Sequence, residues 1–481
     1  MFFSLERYSW RAEIKNSAPS EREITNSIPI TQPIRIPVGS QTQKYRAGIW
    51  LAYPGLFLVF AGDAVRYSIG WAGWSVVVVL LTLATIYALA VSKPVELIRI
   101  MPTALVLLIG WMTLSLTWSS YFGASLMAVG LQISTTLFAL FLASQFSWRQ
   151  LLNVLSNLIR FILGASLLFE LFAGLTGPVV PLFPNFEGDE VPYASYYWSQ
   201  GNLFEGDRIQ GIVGNANLLA FTAVLGALLF LVEVIVTSRR RSLPIASLGL
   251  AILLTVLSQS ASMTLAVVII GFVALIAILA EGRTRHVRHQ IYWGAGVIAG
   301  LTVVSIVINL VAVFDFLGKS PDASGRFRIW TEVANLISQK PGFGWGWIGY
   351  WVPGVAPYEG LIVMNGVPMY QAHNAYLDIF MQLGIVGLVL LVWLLAATFV
   401  RLWTVGVRHT NPLYLFPLFI FLVITAQSIS ESRLLIEAGW VLLVLLATKS
   451  AEPFAELEPL GRTGKRSRLA GNFRLRPRAR I

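Results

Sequence analysis

Long apolar runs separated by short polar segments dominate the chain between residues 47 and 448. The runs cover 47–61, 71–91, 101–118, 126–146, 151–174 and 217–237. They continue over 243–257, 262–280, 292–314, 376–400, 413–429 and 434–447. They are continuous and do not alternate with period two, so they read as helices and not as the strands of a closed barrel. One bilayer crossing takes roughly 20 apolar residues. The pattern therefore predicts an all-α polytopic membrane protein with about twelve transmembrane helices. The first run is short and contains Pro54, which predicts a break there.

Two long polar stretches, 175–216 and 315–371, interrupt this pattern. Connections of that length inside a compact fold are usually functional. Both are rich in aromatics, Gly and Pro, and the second is expected to be partly helical, over 329–338. Trp345, Trp347 and Trp351 suit a cap packed against the membrane interface.

Composition agrees with a lipid environment: 56% of residues are hydrophobic and 12% are charged, against about 25% charged in a soluble domain. The net charge is +11, and its placement matters more than its size. Lys44 and Arg46, Lys93 and Arg99, Arg149, Arg239 to Arg241, Arg283 to Arg288, and Arg401 with Arg408 fall in alternate loops. By the positive-inside rule these loops are cytoplasmic, which puts both termini inside and both long stretches on the outer face. The membrane expected is the bacterial inner membrane. Basic residues placed this way meet anionic lipid, and nucleic acid is not an expected partner. Residues 1–46 read as a disordered cytoplasmic extension without a cleavable signal. Residues 47–448 are the membrane domain, and 449–481 a basic cytoplasmic tail. With no cysteine in the chain, disulfides and thiolate chemistry are excluded.

Arg is scarce in the outer segments, so each one is informative. Arg208 lies in Gly206-Asp-Arg-Ile-Gln-Gly-Ile-Val-Gly-Asn-Ala-Asn217, which runs into a helix that Asn215 or Asn217 could cap. A guanidinium beside a helix N-terminus makes an anion site, although a capping turn with an interfacial Arg accounts equally well for this pattern. Arg326 and Arg328 precede a helix. Spaced i, i+2, they do not share one helix face, so one is expected in a site and the other beside an acidic neighbour such as Asp322. His373, in Gln371-Ala-His-Asn-Ala-Tyr-Leu-Asp378, is the one His of four on the outer side. It is a candidate general base, with a His hydrogen-bonded at a helix start as the plainer reading. No metal site is expected, because neither a second His nor paired carboxylates lie near it in sequence. Glu170, Glu233, Glu431 and Glu437 lie in or near apolar runs, where an ionisable group marks either function or structural pairing.

Taken in order, the segments resemble the O-antigen ligase and O-antigen polymerase superfamily. The resemblance is carried by Arg208-x-x-Gly211 with Asn215 and Asn217, and by Ser324-Gly-Arg-x-x-x-Trp330. Pro341-x-x-Gly344-x-Gly346 and Ala372-His-Asn-x-Tyr376 follow, then Gly384 with Gly387, and last Glu431-Ser-Arg433. It spans about 206–440. It implies transfer of a glycan from an undecaprenyl-diphosphate carrier to an acceptor hydroxyl on a glycan or lipid-linked glycan, without metal or other cofactor and with inversion at the anomeric carbon. Carried over by position, Arg208 and Arg326 would hold the departing diphosphate and His373 would activate the acceptor. Arg328, Asn217 and Asn374 are added as substrate-binding candidates. One departure is Asn215-Ala-Asn217, where a Pro often precedes the second Asn. A polysaccharide or lipid-linked oligosaccharide transporter is the alternative from another class, and a non-catalytic assembly component a third. Ligase and polymerase are not separated by these motifs.

Overall fold

The computed structural model describes residues 38–92, 101–184, 193–237, 241–280, 282–308, 325–364, 366–408 and 414–451. The expected extension to residue 37, the tail beyond residue 451, Lys93, Arg99, Arg239, Arg240 and Asp322 lie outside them. The chain divides into two units, Met1–Arg46 and Ala47–Ile481.

The described residues contain thirteen α-helices. In chain order they are α1 Val38–Phe60, α2 Gly62–Ser92, α3 Thr103–Leu114, α4 Phe122–Gln145 and α5 Trp148–Thr176. Next come α6 Ala216–Val236, α7 Ser242–Leu257, α8 Ala261–Ala280 and α9 Arg285–Ile308. The last four are α10 Arg326–Gln339, α11 Ala375–Arg408, α12 Phe416–Ser428 and α13 Glu437–Lys449. Every predicted apolar run overlaps one of them, and α10 is the additional helix inside the second long stretch. Among the described residues, six helices are long and apolar enough to cross a membrane: α2, α4, α5, α6, α8 and α11, the last over Ala375–Gly406. The most apolar window of α2 is only 6% buried within the protein. A surface that apolar needs lipid around it, so this is a multi-pass membrane protein.

Two boundaries differ from expectation. Pro54 lies inside a continuous α1, consistent with the tolerance of membrane helices for Pro when neighbours supply the lost contacts. Helix α2 begins nine residues before the apolar run, at Gly62, and Gly70 breaks its geometry with φ 73°. That leading segment carries Asp63 and Arg66, which hydrophobic patterning passes over.

The bundle interior is built on α13, whose residues Ala438 to Lys449 are all buried; a helix apolar on every side belongs in a core. It packs on α4, and α12 packs on α6 and α8. The Glu residues in apolar runs are all partnered. Glu233 pairs with Arg160 at 2.7 Å. Glu437 pairs with Arg66 and Arg433. Glu170 and Glu431 belong to the site.

The second long segment is fastened to a kink in α11. Gly384 takes φ 66°, which frees the carbonyls before it from the helix ladder. Trp345 N–H donates to Met381 O at 3.1 Å and Gly346 N–H to Gln382 O at 2.8 Å. The Trp111 indole N–H donates to Leu383 O at 3.0 Å. A Cβ on Gly384 would sit 2.1 Å from Gly342 O, and one on Gly344 2.5 Å from Gln382 O. The Pro341-x-x-Gly344-x-Gly346 motif and Gly384 are thus two halves of one backbone docking joint. Above it, Ile329, Val333 and Leu336 of α10 pack with Ile348, Trp351, Tyr358 and Ile362 in a separate core. Trp347 and Trp351 are 0% and 1% exposed. Trp351 belongs to this core and Trp347 is buried beside it in sequence, so neither ring is presented to a membrane interface as expected.

Candidate functional site

The first long segment is shaped by a buried carboxylate. Glu170, near the end of α5, accepts the backbone N–H groups of Gln210 at 3.0 Å and Gly211 at 2.6 Å on one oxygen. Its other oxygen accepts the Ser199 hydroxyl at 3.0 Å. Gly211 has φ 61°, and a Cβ there would lie 2.7 Å from Ser166, so the turn sits against α5 as only Gly permits. This turn presents Arg208. The guanidinium donates from Nε to Ser258 O at 3.2 Å and from Nη2 to Asn217 Oδ1 at 2.7 Å. Asn215 caps α6 by accepting the N–H groups of Asn217 and Leu218, which leaves the Asn217 side chain to bridge. Its Oδ1 also accepts the Ser260 hydroxyl at 2.9 Å, and its Nδ2 donates to Glu431 Oε1 at 2.9 Å.

The second long segment brings Arg326 and His373 to the same place. Gly325, with φ 59°, starts α10, and Arg326 in its first turn donates to Ser430 O at 3.2 Å. Its guanidinium lies 3.5 Å from Glu431 Oε1. His373 precedes α11, whose N-terminal N–H groups at Tyr376 and Leu377 are accepted by Asn374 Oδ1. The indole N–H of Trp330 holds Ala372 O at 3.1 Å, and Asp378 accepts Ala372 N–H at 3.1 Å. His373 itself has φ 49°. A left-handed backbone at a non-glycine residue is uncommon, and such positions concentrate at sites where the surroundings enforce them.

Glu431 is the hub. It sits in the turn between α12 and α13, 5% exposed. Besides Asn217 and Arg326, it accepts from Gln371 Nε2 at 3.1 Å and lies 3.0 Å from His373 Nδ1. Burial alone would raise its pKa, but the hydrogen bond and charge of His373, with Arg326 and Arg433, outweigh burial and bring it below the ordinary value. An ionised carboxylate only accepts, so Nδ1 carries the proton and donates, and in the neutral tautomer that this selects the Nε2 lone pair can accept.

These groups open on a cavity of about 650 Å³. Arg208, Asn217, Arg326, His373 and Glu431 are among the lining residues, and Ile329, Met364, Val367 and Met369 contribute apolar surface. Met364 and Val367 belong to a short hairpin of β1 Val363–Met364 and β2 Val367–Pro368. The guanidinium of Arg208 is partly buried. Burial is the largest influence lowering its pKa, Asp207 opposes it, and the like charge of Arg326 adds to the lowering. Two guanidiniums and one carboxylate on the same cavity leave an excess of positive charge there, an arrangement suited to an anion.

The structure brings together Arg208, Asn217, Arg326 and His373 from the candidates. Arg328 is exposed and is not among the cavity residues. Asn374 acts on the backbone: besides its cap, its Nδ2 donates to Ile429 O at 3.1 Å. Glu431 as the partner of His373 was not read from the sequence, because the two lie 58 residues apart. The signals available were its position in an apolar region and its place in Glu431-Ser-Arg433. Gln371 and Ser260 carry no signal of their own.

The geometry coincides with the motifs in which the resemblance was read. Residues 246–392 match the O-antigen ligase family. The matched segment runs from α7 into α11 and takes in Arg326, Arg328, His373 and Asn374, while Arg208, Asn217 and Glu431 lie outside it. The chain is also similar to the exopolysaccharide production protein ExoQ of Rhizobium meliloti (strain 1021), 25% identical over 117 residues. That match takes in 23% of this chain and 27% of the relative, so the chain spans about a quarter of that protein's length. Together these place the resemblance in the O-antigen ligase and polymerase superfamily.

Proposed function

We propose that this chain is a membrane glycosyltransferase of polysaccharide biosynthesis. It moves a glycan from an undecaprenyl-diphosphate carrier to an acceptor hydroxyl of a glycan or lipid-linked glycan at the outer face of the inner membrane. The observation that carries the reading is the convergence of Arg208, Arg326, His373 and Glu431 on one cavity. The acceptor oxygen bonds to the anomeric carbon as the bond from that carbon to the diphosphate oxygen breaks. The diphosphate leaves with the electron pair, and the acceptor proton passes to His373 Nε2. Attack opposite the leaving group inverts the anomeric centre. Charge grows on the diphosphate as the bond breaks, so fixed guanidiniums hold the transition state more tightly than the ground state. Glu431 steadies the imidazolium that forms, as a buried carboxylate does for other catalytic imidazoles. The apolar side of the cavity suits the isoprenoid portion of the donor.

The motif resemblance and the match to the ligase family support this reading, and neither separates ligase from polymerase. Deletion in the producing cell, followed by analysis of carrier-linked glycans, tests it. Accumulated single repeat units identify a polymerase, and accumulated long carrier-linked chains a ligase. An unchanged carrier-lipid profile contradicts the proposal. Carrier movement across vesicles without sugar transfer by the purified protein favours a transporter.

A further inference from the structure

A second, smaller chamber adjoins the cavity. It measures about 180 Å³ and shares Arg208 and Asn217 with the larger cavity as its partition. Its remaining wall is almost entirely amide and carboxylate: Gln200, Asn202, Gln210 and Asn215 with Asp207. All come from the first long segment and the cap of α6, on the framework that Glu170 holds. The wall is built by its own hydrogen bonds. Gln210 Oε1 accepts Gln200 N–H at 3.1 Å, and Asn202 Nδ2 donates to Gln200 Oε1 at 3.3 Å. Asp207 Oδ1 accepts Arg208 N–H at 2.7 Å. Several polar atoms have no protein partner among the described residues: Asn202 Oδ1, Gln210 Nε2, Asn215 Nδ2 and the second oxygen of Asp207.

Such a wall offers both donors and acceptors in a small volume where Ala216 is the one apolar residue of the lining, too little for an isoprenoid chain, and the Asp207 carboxylate disfavours a diphosphate. It suits a ring of hydroxyls, since each hydroxyl both donates and accepts. A volume below the roughly 300–1,000 Å³ of drug-sized sites leaves room for a single ring. His373 faces only the larger cavity, so the acceptor belongs there and the chamber lies on the diphosphate side. We propose that this chamber is a monosaccharide subsite that holds one sugar ring of the donor glycan, with Asn202, Asp207 and Gln210 reading its hydroxyls. The identity of the glycan rests on the transferase reading; the polyol chemistry of the chamber stands on its lining.

Saturation-transfer NMR on the full-length protein in nanodiscs tests the subsite without requiring turnover. The probe is the oligosaccharide released by mild acid from the producing cell's own carrier lipids. Wild-type protein is expected to saturate the protons of one ring preferentially. Asn202→Trp, which fills the chamber, should weaken binding by about tenfold or more, the loss of one or two hydrogen bonds. Asn202→Ala, a smaller change that keeps the fold if the Trp variant does not, should weaken it in the same direction. Binding of inorganic diphosphate should be unchanged in both. Undiminished oligosaccharide binding by the folded variants, or none by the wild type, overturns the subsite. Sugar binding of the expected pattern in a protein that transfers nothing leaves the subsite and removes the transferase.

Discussion

At the residue scale the arrangement turns on the pair His373 and Glu431, 3.0 Å apart. His373→Ala removes the base and should lower transfer by about 100- to 10,000-fold, with donor diphosphate binding retained. Glu431→Gln keeps the shape but loses the charge that fixes the His373 tautomer. One charge-assisted hydrogen bond is worth about 1.5–3 kcal/mol, so turnover should fall by about tenfold to somewhat over a hundredfold. An unchanged rate in that variant would separate Glu431 from catalysis. Glu431 also sets a pH dependence. Its native pKa lies below the ordinary value of 4.5, so the unfolded chain binds its proton more readily. The stability it contributes is present above pH 4.5 and is lost as pH falls through the lower native value. Thermal melts of wild type and Glu431→Gln should therefore converge as the pH is taken below 4.5 and remain apart at neutral pH.

At the element scale the site depends on joints that contain no reactive group. The break in α11 at Gly384 leaves no room for a side chain. Gly384→Ala should destabilise the docking of the second long segment and reduce the yield of folded protein, measured by size-exclusion profile and melting temperature. A wild-type melt would show that the joint yields. Much of this was legible in sequence: the apolar runs located the helices because lipid and core both demand continuous apolar surface. The start of α2 was not legible, because Gly62 to Gly70 carries Asp63 and Arg66, which pair with each other while Arg66 also reaches Glu437, 371 residues away. Trp347 and Trp351 misled for a related reason. An aromatic-rich loop has the same composition whether its rings face lipid headgroups or fill a core. Arg326 and His373 were readable because their motifs are local. The contact of Glu431 with Asn217 spans 214 residues, and no local pattern encodes it.

At the scale of the whole molecule, the site residues gather at one end of the helical bundle, from the α6 and α11 N-termini to the turn between α12 and α13. The proposed orientation sets that end outside the cell and the basic tail inside. The absence of cysteine in the chain makes single introduced thiols clean reporters. Glu359→Cys, exposed in the second long segment, should react with a membrane-impermeant maleimide in cells whose outer barrier is opened. Ser467→Cys in the tail should react only after lysis. The reverse pattern would invert the orientation and remove the carrier-linked donor from reach.

The most direct test of the central claim is a reconstituted transfer assay with purified protein and carrier-linked glycan, read by mass spectrometry of both products. The wild type is expected to release carrier diphosphate and extended glycan in equal amounts. Arg326→Ala should be slower by about 100- to 1,000-fold, and His373→Ala should fall to background. Transfer at the wild-type rate by folded His373→Ala protein, or no transfer by the wild type with an authentic donor and acceptor, would contradict it.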